Sequence, residues 1–187
     1  MKRKPANNID ISKWLLKSKK IIFKHPRFTV ADYYLQTPDN QDIIFTLVEK
    51  PTDFSLIIPK QDKYFYLIRQ FRPASAKVSI EFPMGSTNTN DMLKTAKTEL
   101  QEETGFTAKK WIKIGQIYPS PGFVKQQAHI YLAEDLKPGP QKLEKGEYIE
   151  VIKLTEKQIN EYIKKGDIFE GTTLSAWALY HAYTPGG

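Results

Sequence analysis

Three carboxylates lie close together near the middle of the sequence. Glu99, Glu102 and Glu103 occupy positions i, i+3 and i+4 of the segment ELQEETG, which ends at Gly105. If this segment is the last turn of a helix, the spacing places the three side chains on one face. Like charges at this distance oppose folding unless a cation neutralises them, and hard divalent cations prefer oxygen ligands. The spacing favours a magnesium or manganese site serving phosphoryl chemistry, and a solvated acidic helix end is the alternative interpretation.

The composition leaves oxygen as the donor type for such a metal. The 187-residue chain has no cysteine and only three scattered histidines, which excludes disulfides, thiolate catalysis and Cys-based zinc sites. A net charge of +7 favours an anionic partner such as a nucleotide or polyphosphate. Nucleic acid is a less favoured partner, because many of the lysines fall in an N-terminal run that is typical of a solubilising tail.

The chain shows no sign of a membrane or secretion segment. No apolar run approaches the roughly 18 to 20 residues that a membrane helix needs. The first twenty residues contain neither an apolar core nor a small-residue cleavage site, so we expect no signal peptide. We expect a soluble, cytoplasmic protein with one core of ordinary size and a small appendage.

Strands and helices that position the carboxylates alternate along the chain. Apolar residues at helical spacing predict a helix over residues 90–104, capped by Asn90 or Asp91 and stopped by Gly105 in a left-handed conformation. Residues 1–18 are predicted to be a loose or partly helical lead-in with Ser12 as an N-cap. Strands are predicted at 21–23, 27–37, 43–50, 54–59, 64–71, 78–85, 111–119, 128–136 and 148–155, and further helices at 156–165 and 172–183. The mixed order predicts a sheet covered by helices on two sides.

The order of strand, glycine loop, helix with paired glutamates, glycine and apolar residue resembles the signature of the Nudix hydrolase superfamily. Five blocks resemble its ADP-ribose pyrophosphatase branch more narrowly: IRQFRP (68–73), IEFPMG (80–85), YPSPGF (118–123), GEYIEV (146–151) and GDIFEGTTLSAWALY (166–180). The resemblance covers roughly residues 20–183. It implies an α+β fold, a Nudix-type α/β/α sandwich with a mixed β-sheet and an N-terminal antiparallel β subdomain. Residues 1–55 would form the lead-in and a dimerisation subdomain, and residues 56–187 the Nudix catalytic domain.

The resemblance also implies roles for the carboxylates. Glu99, Glu102 and Glu103 would coordinate two or three divalent ions, Mg²⁺ or Mn²⁺, and Glu102 and Glu103 would act in catalysis. The backbone carbonyl of Met84, the residue before the box glycine, would be a further metal ligand.

Three residues are candidates for substrate binding. Arg72 would donate a bidentate hydrogen bond to a phosphate or stack near an adenine, or would form a structural ion pair with Glu81. Glu81 would need a partner or a cation if it is buried, and neither if it faces outward. Phe123 would stack on a base or cover the site, or would tuck into the core.

The sequence departs from the family pattern in four respects. The loop after Gly85 is one residue short, and the early glutamate of the box has no clear equivalent, with Asn90 or Asp91 nearest. Thr98 stands where the family has arginine, and Gln126 stands where a glutamate often serves as general base. Since an amide cannot take a proton from water at neutral pH, either another carboxylate must do this work or turnover is slow.

The resemblance implies a pyrophosphohydrolase that cleaves a nucleoside diphosphate linked to another moiety. ADP-ribose is the leading substrate, with AMP and ribose 5-phosphate as products, and GDP-mannose or another nucleotide sugar is the alternative. A catalytically weakened Nudix-fold module that binds a nucleotide or RNA is a second alternative, motivated by Thr98 and Gln126. Members of this branch commonly dimerise through N-terminal strands, and residues 21–50 are apolar enough to form a homodimer in this way.

Overall fold

The computed structural model describes residues 10–183, which form two compact units. The first unit contains residues up to 51 together with 120–125, and the second contains residues 52–119 and those from 126 onward. Numbered in chain order, the elements are β1 (Leu15–His25), β2 (Phe28–Gln36), β3 (Asp42–Glu49), β4 (Phe54–Gln61), β5 (Tyr64–Arg72), β6 (Lys77–Glu81), β7 (Met84–Gly85), α1 (Met92–Thr104), β8 (Thr107–Ile117), β9 (Val124–Lys125), β10 (Ala128–Lys137), β11 (Glu150–Thr155), α2 (Glu156–Lys165) and α3 (Gly171–Tyr183). The assignment of residues 1–55 to a dimerisation subdomain stays a prediction.

The first unit is a four-stranded sheet with the order β1-β2-β3-β9. The first three strands form an antiparallel meander, and the short β9 joins β3 in parallel. A turn around residues 38–40 connects β2 and β3, and Asn40 adopts a positive φ of 65° there. Residues 124–125 lie outside the predicted strands, because a two-residue strand leaves no periodic pattern in the sequence.

Of the predicted loose or partly helical lead-in, the loose alternative agrees with residues 10–14, which form neither helix nor strand, and the helical alternative is wrong where the structure describes it. Strand β1 already begins at Leu15, and Ser12 does not cap a helix but hydrogen-bonds through its backbone N–H to the side chain of Asp10 at 3.1 Å. A short lysine-rich segment is a marginal helix in water, whereas pairing with β2 satisfies its backbone groups as a strand. Residues 1–9 of the predicted lead-in lie outside the described residues.

The second unit is built on a seven-stranded mixed sheet. Its main path is β11-β5-β4-β10-β8, with β6 beside β5 and β7 beside β4. Strands β4 and β10 run parallel, and the other pairs in this sheet run antiparallel. Because both faces of β4 are covered, the strand reads as a continuous apolar run.

Helices cover the two faces of this sheet. Helix α1 packs on one face, where Ala96 and Leu100 are fully buried with Ile57 of β4. Helices α2 and α3 cover the opposite face, where Trp177 packs in a cluster that includes Leu56. The predicted α/β/α sandwich is confirmed. No helix within residues 10–183 is long and apolar enough to cross a membrane.

Helix α1 begins and ends where the sequence predicts. The Asp91 side chain accepts the backbone N–H of Lys94 at 3.0 Å and caps the first turn. Gly105 stops the helix in the left-handed region, with φ of 74°. The buried residues of α1, Ala96 and Leu100 among them, fix the rotation of the helix about its axis. They thereby fix the direction in which the glutamates of the last turns project.

Candidate active site

Glu103 is the most buried of the three clustered carboxylates. Its residue is only 5% exposed, and its Oε2 accepts the backbone N–H of Met84 at 2.9 Å. Burial, with repulsion from Glu99 as the next cause, raises the pKa of Glu103 to about 9. Without a cation, this carboxyl group therefore holds its proton at neutral pH.

Glu99 and Glu102 extend the acidic cluster from Glu103. Burial and then repulsion from Glu102 raise the pKa of Glu99 to about 7. The Glu99 carboxylate also lies against the backbone of Gly85, so closely that a Cβ at residue 85 would overlap it. The pKa of Glu102 is raised as well, first by burial and then by repulsion from acidic residues of another segment.

That other segment supplies Glu144 and Glu147, which the sequence analysis did not single out. Both raise the pKa of Glu99 and of Glu102, and Glu147 also raises the pKa of Glu103. Glu147 belongs to the block GEYIEV, which resembles the family. The resemblance did not predict that this segment contacts the end of α1.

Two hydrogen bonds hold this segment against the end of α1. The backbone N–H of Lys142 donates to the carbonyl of Glu102 at 3.0 Å. The Gln141 amide donates to the carbonyl of Glu103 at 2.6 Å. Because these carbonyls have no partner within the helix, the last turn recruits the segment and brings its acidic residues beside the cluster.

The three helix glutamates carry the oxygen donors that a divalent cation prefers. Within the described residues, no salt bridge involves these three residues or Glu144 and Glu147. Lys142 lowers the pKa of Glu102 and Arg72 lowers the pKa of Glu103, but burial and repulsion outweigh both. Nor do three or more His, Cys, Asp or Glu side chains in residues 10–183 form a ready ligand set for one ion. Magnesium commonly binds through one or two carboxylates, waters and phosphate oxygens rather than in an all-protein cage, and this open arrangement suits that mode.

Glu81 and Arg72 form an ion pair next to the cluster. Glu81 is fully buried and accepts hydrogen bonds from Arg72 Nη2 at 2.5 Å and Nε at 2.9 Å. The Gln70 amide donates to the same carboxylate at 3.1 Å. Hydrogen bonding to Glu81 raises the pKa of Arg72, and the charge of Glu103 acts in the same direction. The interpretation of Glu81 as an outward-facing residue is therefore wrong, whereas a substrate contact by either residue stays a prediction.

Phe123 and Gln126 lie in different units. Phe123 belongs to the first unit, where its carbonyl accepts the N–H of Val48 at 2.9 Å and its residue is 55% exposed. It does not enter the core, and its stacking on a base stays a prediction. Gln126 belongs to the second unit, and its amide donates to the carbonyl of Thr52 at 2.8 Å. The amide thus holds the backbone at the start of β4.

Comparisons with known proteins identify relatives of the chain and of its fold. The chain is 29% identical over 153 residues to an ADP-ribose pyrophosphatase of Bacillus subtilis (strain 168). This alignment covers 79% of this chain and 83% of the relative. It is 32% identical over 130 residues to a GDP-mannose pyrophosphatase of Escherichia coli O1:K1 / APEC, spanning 64% of this chain and 67% of the relative. A crystal structure of an ADP compounds hydrolase has the same fold, with a TM-score of 0.82, 19% identity and coverage of 93% of this chain and 95% of that one. No family model matches the chain.

The chain belongs to the Nudix hydrolase superfamily, within its ADP-ribose pyrophosphatase-like branch. The predicted enzyme class, a hydrolase acting on phosphoric anhydride bonds, is confirmed by these relatives. Pyrophosphatases of this type generally need a divalent metal ion, which agrees with the acidic cluster at the end of α1.

Proposed function

We propose that this enzyme hydrolyses ADP-ribose to AMP and ribose 5-phosphate with the help of Mg²⁺ or Mn²⁺. The observation that carries the proposal is the group of five glutamates at the end of α1, three of them at the spacing of the Nudix box. None of the five forms a salt bridge within residues 10–183. The similarity to an ADP-ribose pyrophosphatase of Bacillus subtilis supports the choice of substrate.

Glu99, Glu102 and Glu103, with the Met84 carbonyl, would hold the metal. Such an ion neutralises the charge of a diphosphate and lowers the pKa of bound water. The chain's own contribution is to fix these donors in place. The Met84 N–H orients the Glu103 carboxylate, and the missing side chain of Gly85 leaves the space that Glu99 occupies.

Arg72 is proposed to contact the diphosphate. Its Nε and Nη2 bind Glu81, which leaves Nη1 without a partner among the described residues. An arginine held rigidly on one side can present its free N–H groups to a phosphate oxygen with little further loss of freedom.

Glu147 is proposed as the general base, the role that Gln126 cannot perform. Its segment is hydrogen-bonded to the end of α1 through Lys142 and Gln141, and its charge raises the pKa values of all three glutamates of the helix. Its Oε2 accepts the N–H of Glu144 at 2.9 Å, which orients it. A base of this kind takes a proton from the attacking water once substrate brings the two within hydrogen-bond reach.

A substrate panel tests the proposed specificity. ADP-ribose, GDP-mannose and other sugar-linked diphosphates are incubated with the enzyme and Mg²⁺, and the products are separated by chromatography. We expect the highest kcat/KM for ADP-ribose. A preference for GDP-mannose would instead support the activity in the name of the Escherichia coli relative. Tight nucleotide binding without any product would support a binding module, the alternative motivated by Thr98 and Gln126.

A homodimer is part of the proposal. The first unit exposes large apolar side chains along two strands, namely Leu15, Leu16, Ile21, Ile22, Phe23, Ile44 and Phe45. Monomers seldom leave such a surface in water, and a second copy of the chain would cover it by two-fold symmetry. Light scattering should give twice the mass of one chain, and Phe23→Glu should give the mass of one chain. We propose a cytoplasmic location, with nucleic acid as a less favoured partner than a nucleoside diphosphate derivative.

A further inference from the structure

The segment between β10 and β11 carries Glu147 but has little apolar packing of its own. None of residues 138–149 is buried, and Leu143 and Ile149 are only half-buried. Segments with few buried apolar contacts open at a low free-energy cost. The position of Glu147 therefore depends on the polar contacts that the segment makes and on the elements at its two ends.

One side chain of this segment reaches the helix that carries the clustered glutamates. The Gln141 amide donates to the carbonyl of Glu103 at 2.6 Å. Within residues 10–183, no other side chain of the segment forms a hydrogen bond or a salt bridge outside it. The backbone contributes a second bond beside this one, from the N–H of Lys142 to the carbonyl of Glu102. Gln141 is thus the side chain that holds the segment at the end of α1.

Two glycines allow the segment to cross the end of α1 with backbone against backbone. A Cβ at Gly105 would overlap the carbonyl oxygen of Gly139, and a Cβ at Gly139 would come within 3.1 Å of the carbonyl oxygen of Gly105. Because this crossing comes just before Gln141 in the chain, it brings the amide within reach of the Glu103 carbonyl. The hydrogen bond of Gln141 therefore belongs to a close contact between two backbones.

A closed turn leads from this contact to Glu147. The backbone N–H of Glu147 donates to the carbonyl of Glu144 at 3.1 Å, and the N–H of Glu144 donates to Oε2 of Glu147 at 2.9 Å. Gly146 adopts a positive φ of 96° inside the turn. Since these two bonds fix the turn internally, its placement against α1 depends on the residues just before it.

The acceptor of the Gln141 amide belongs to the proposed metal site. Glu103 binds the Met84 N–H through its carboxylate at 2.9 Å and binds Gln141 through its carbonyl. The sheet and the helix hold the Glu103 carboxylate. Loss of the Gln141 bond would therefore move the turn relative to the carboxylates without moving the carboxylates themselves.

We propose that Gln141 is a positioning residue of the enzyme, which holds Glu147 at the place from which it takes a proton from the attacking water. The proposal rests on the proposed function in one respect, because it takes Glu147 as the general base. A base acts only within hydrogen-bond reach of the proton that it removes, and a misplacement of about 1 Å costs roughly 100-fold in rate. Gln141 contributes to the rate through Glu147 and does not itself touch the substrate.

Gln141→Met tests this role, because it keeps the length of the side chain and removes its N–H donors. Gln116→Met, at an exposed position of β8, is the matched control. Both are assayed with Mg²⁺ and the sugar-linked diphosphate that the wild type hydrolyses fastest. We expect Gln141→Met to lower kcat by about tenfold or more and to change KM and Mn²⁺ affinity by less than about twofold. Its melting temperature should fall by no more than about 4 °C, the effect of one lost hydrogen bond.

A double variant distinguishes the positioning of Glu147 from a general effect on the fold. Added to Glu147→Gln, Gln141→Met should lower kcat by less than about twofold, since contributions made through one group do not multiply. Hydrogen exchange supplies a readout without turnover. The Lys142 N–H should exchange about tenfold faster or more in Gln141→Met than in the wild type, because the neighbouring bond is lost.

Three results would overturn the positioning role. They are unchanged kcat in Gln141→Met, an equal loss of kcat with and without the Glu147 carboxylate, and unchanged exchange at Lys142. A wild type that hydrolyses none of the diphosphates would refute the proposed function and with it the catalytic role of Gln141, while faster exchange at Lys142 would still uphold the contact with α1. Hydrolysis by the wild type together with unchanged kcat in Gln141→Met would uphold the function and refute this role alone.

Discussion

The backbone of Gly85 lies directly against the carboxylate of Glu99, with no room for a side chain between them. Gly85 pairs with Ser55 of β4, so the sheet holds it in place, while the buried face of α1 holds the helix that carries Glu99. Gly85, which the sheet positions, and Glu99, which the helix positions, are therefore in direct contact. This contact keeps the carboxylate at the edge of the sheet.

Gly85→Ala should displace Glu99 without unfolding the protein. The added methyl group would overlap the terminal atoms of Glu99, and the flexible glutamate side chain can move more readily than the paired strand. A misplacement of about 1 Å costs roughly 100-fold in rate, so we expect a loss of this order in kcat/KM for ADP-ribose. Gly122→Ala is the control, because a Cβ at Gly122 meets nothing nearby. Equal kcat/KM for the two variants would show that the contact has no catalytic importance.

The metal-free protein should lose stability as the pH rises. The pKa values of Glu99 and Glu103 are raised in the folded state to about 7 and about 9, above the value of about 4.3 for an unfolded glutamate. The folded state thus binds more protons, so the stabilisation is complete below pH 4.3 and is lost progressively as the pH rises through 7 and then toward 9. In a chelator, we expect the melting temperature to fall by roughly 5 °C or more from pH 5 to pH 9.

Two comparisons connect that pH dependence to the site. Saturating Mg²⁺ should restore the melting temperature at high pH, since a ligand of the folded state stabilises it. Glu103→Gln should flatten the profile, because the amide does not titrate. A melting temperature that rises with pH in the absence of metal would contradict the assignment of buried, cation-free carboxylates.

Arg72→Ala should destabilise the fold as well as the reaction. It leaves the fully buried Glu81 carboxylate without its cation. Breaking a fully buried pair costs roughly 3 to 5 kcal/mol of unfolding free energy, and because the Arg72 side chain is 39% exposed, we expect a loss of about 2 to 3 kcal/mol. Urea denaturation measures the change. The control is Arg69→Ala, which breaks the exposed pair with Glu150 and should cost less than about 1 kcal/mol. Similar losses in both variants would argue against the buried pair as the structural anchor of this region.

Glu147→Gln should lower kcat by roughly 100-fold or more, the usual contribution of a general base. Metal affinity should change little, because the three helix glutamates remain. Glu144→Gln is the matched comparison, since it removes a nearby charge from the same segment and should reduce kcat far less. A larger effect of Glu144→Gln would transfer the role of base to that residue.

Features encoded in local sequence were predictable. Asp91 and Gly105 mark the ends of α1 because capping and a left-handed stop depend on the residue itself, and both are observed. The spacing of Glu99, Glu102 and Glu103 likewise follows from the helical period. The strand identity of residues 15–18 was missed, because it comes from pairing with β2 rather than from their own preferences.

Features that depend on distant contacts were not accessible from the sequence. Glu144 and Glu147 lie in a segment without apolar periodicity, and only its hydrogen bonds to the end of α1 bring it beside the cluster. The burial of Glu81 depends on the pairing of β6 with β5, which also supplies Arg72. For Glu81 the sequence allowed either a buried side chain with a partner or an outward-facing one. The pairing of β6 with β5 buries it beside Arg72.

The most direct test of the account is the metal dependence of AMP release from ADP-ribose by the wild type and by Glu103→Gln. We predict that the wild type releases AMP with Mg²⁺ or Mn²⁺ and stops in chelator, and that Glu103→Gln reduces kcat by about 1,000-fold or more, in line with loss of a group that acts on the transition state. Glu161→Gln, at an exposed position of α2, should match the wild type. Equal AMP release in chelator, or full activity of Glu103→Gln, would contradict the assignment of the helix glutamates as the metal-holding catalytic site.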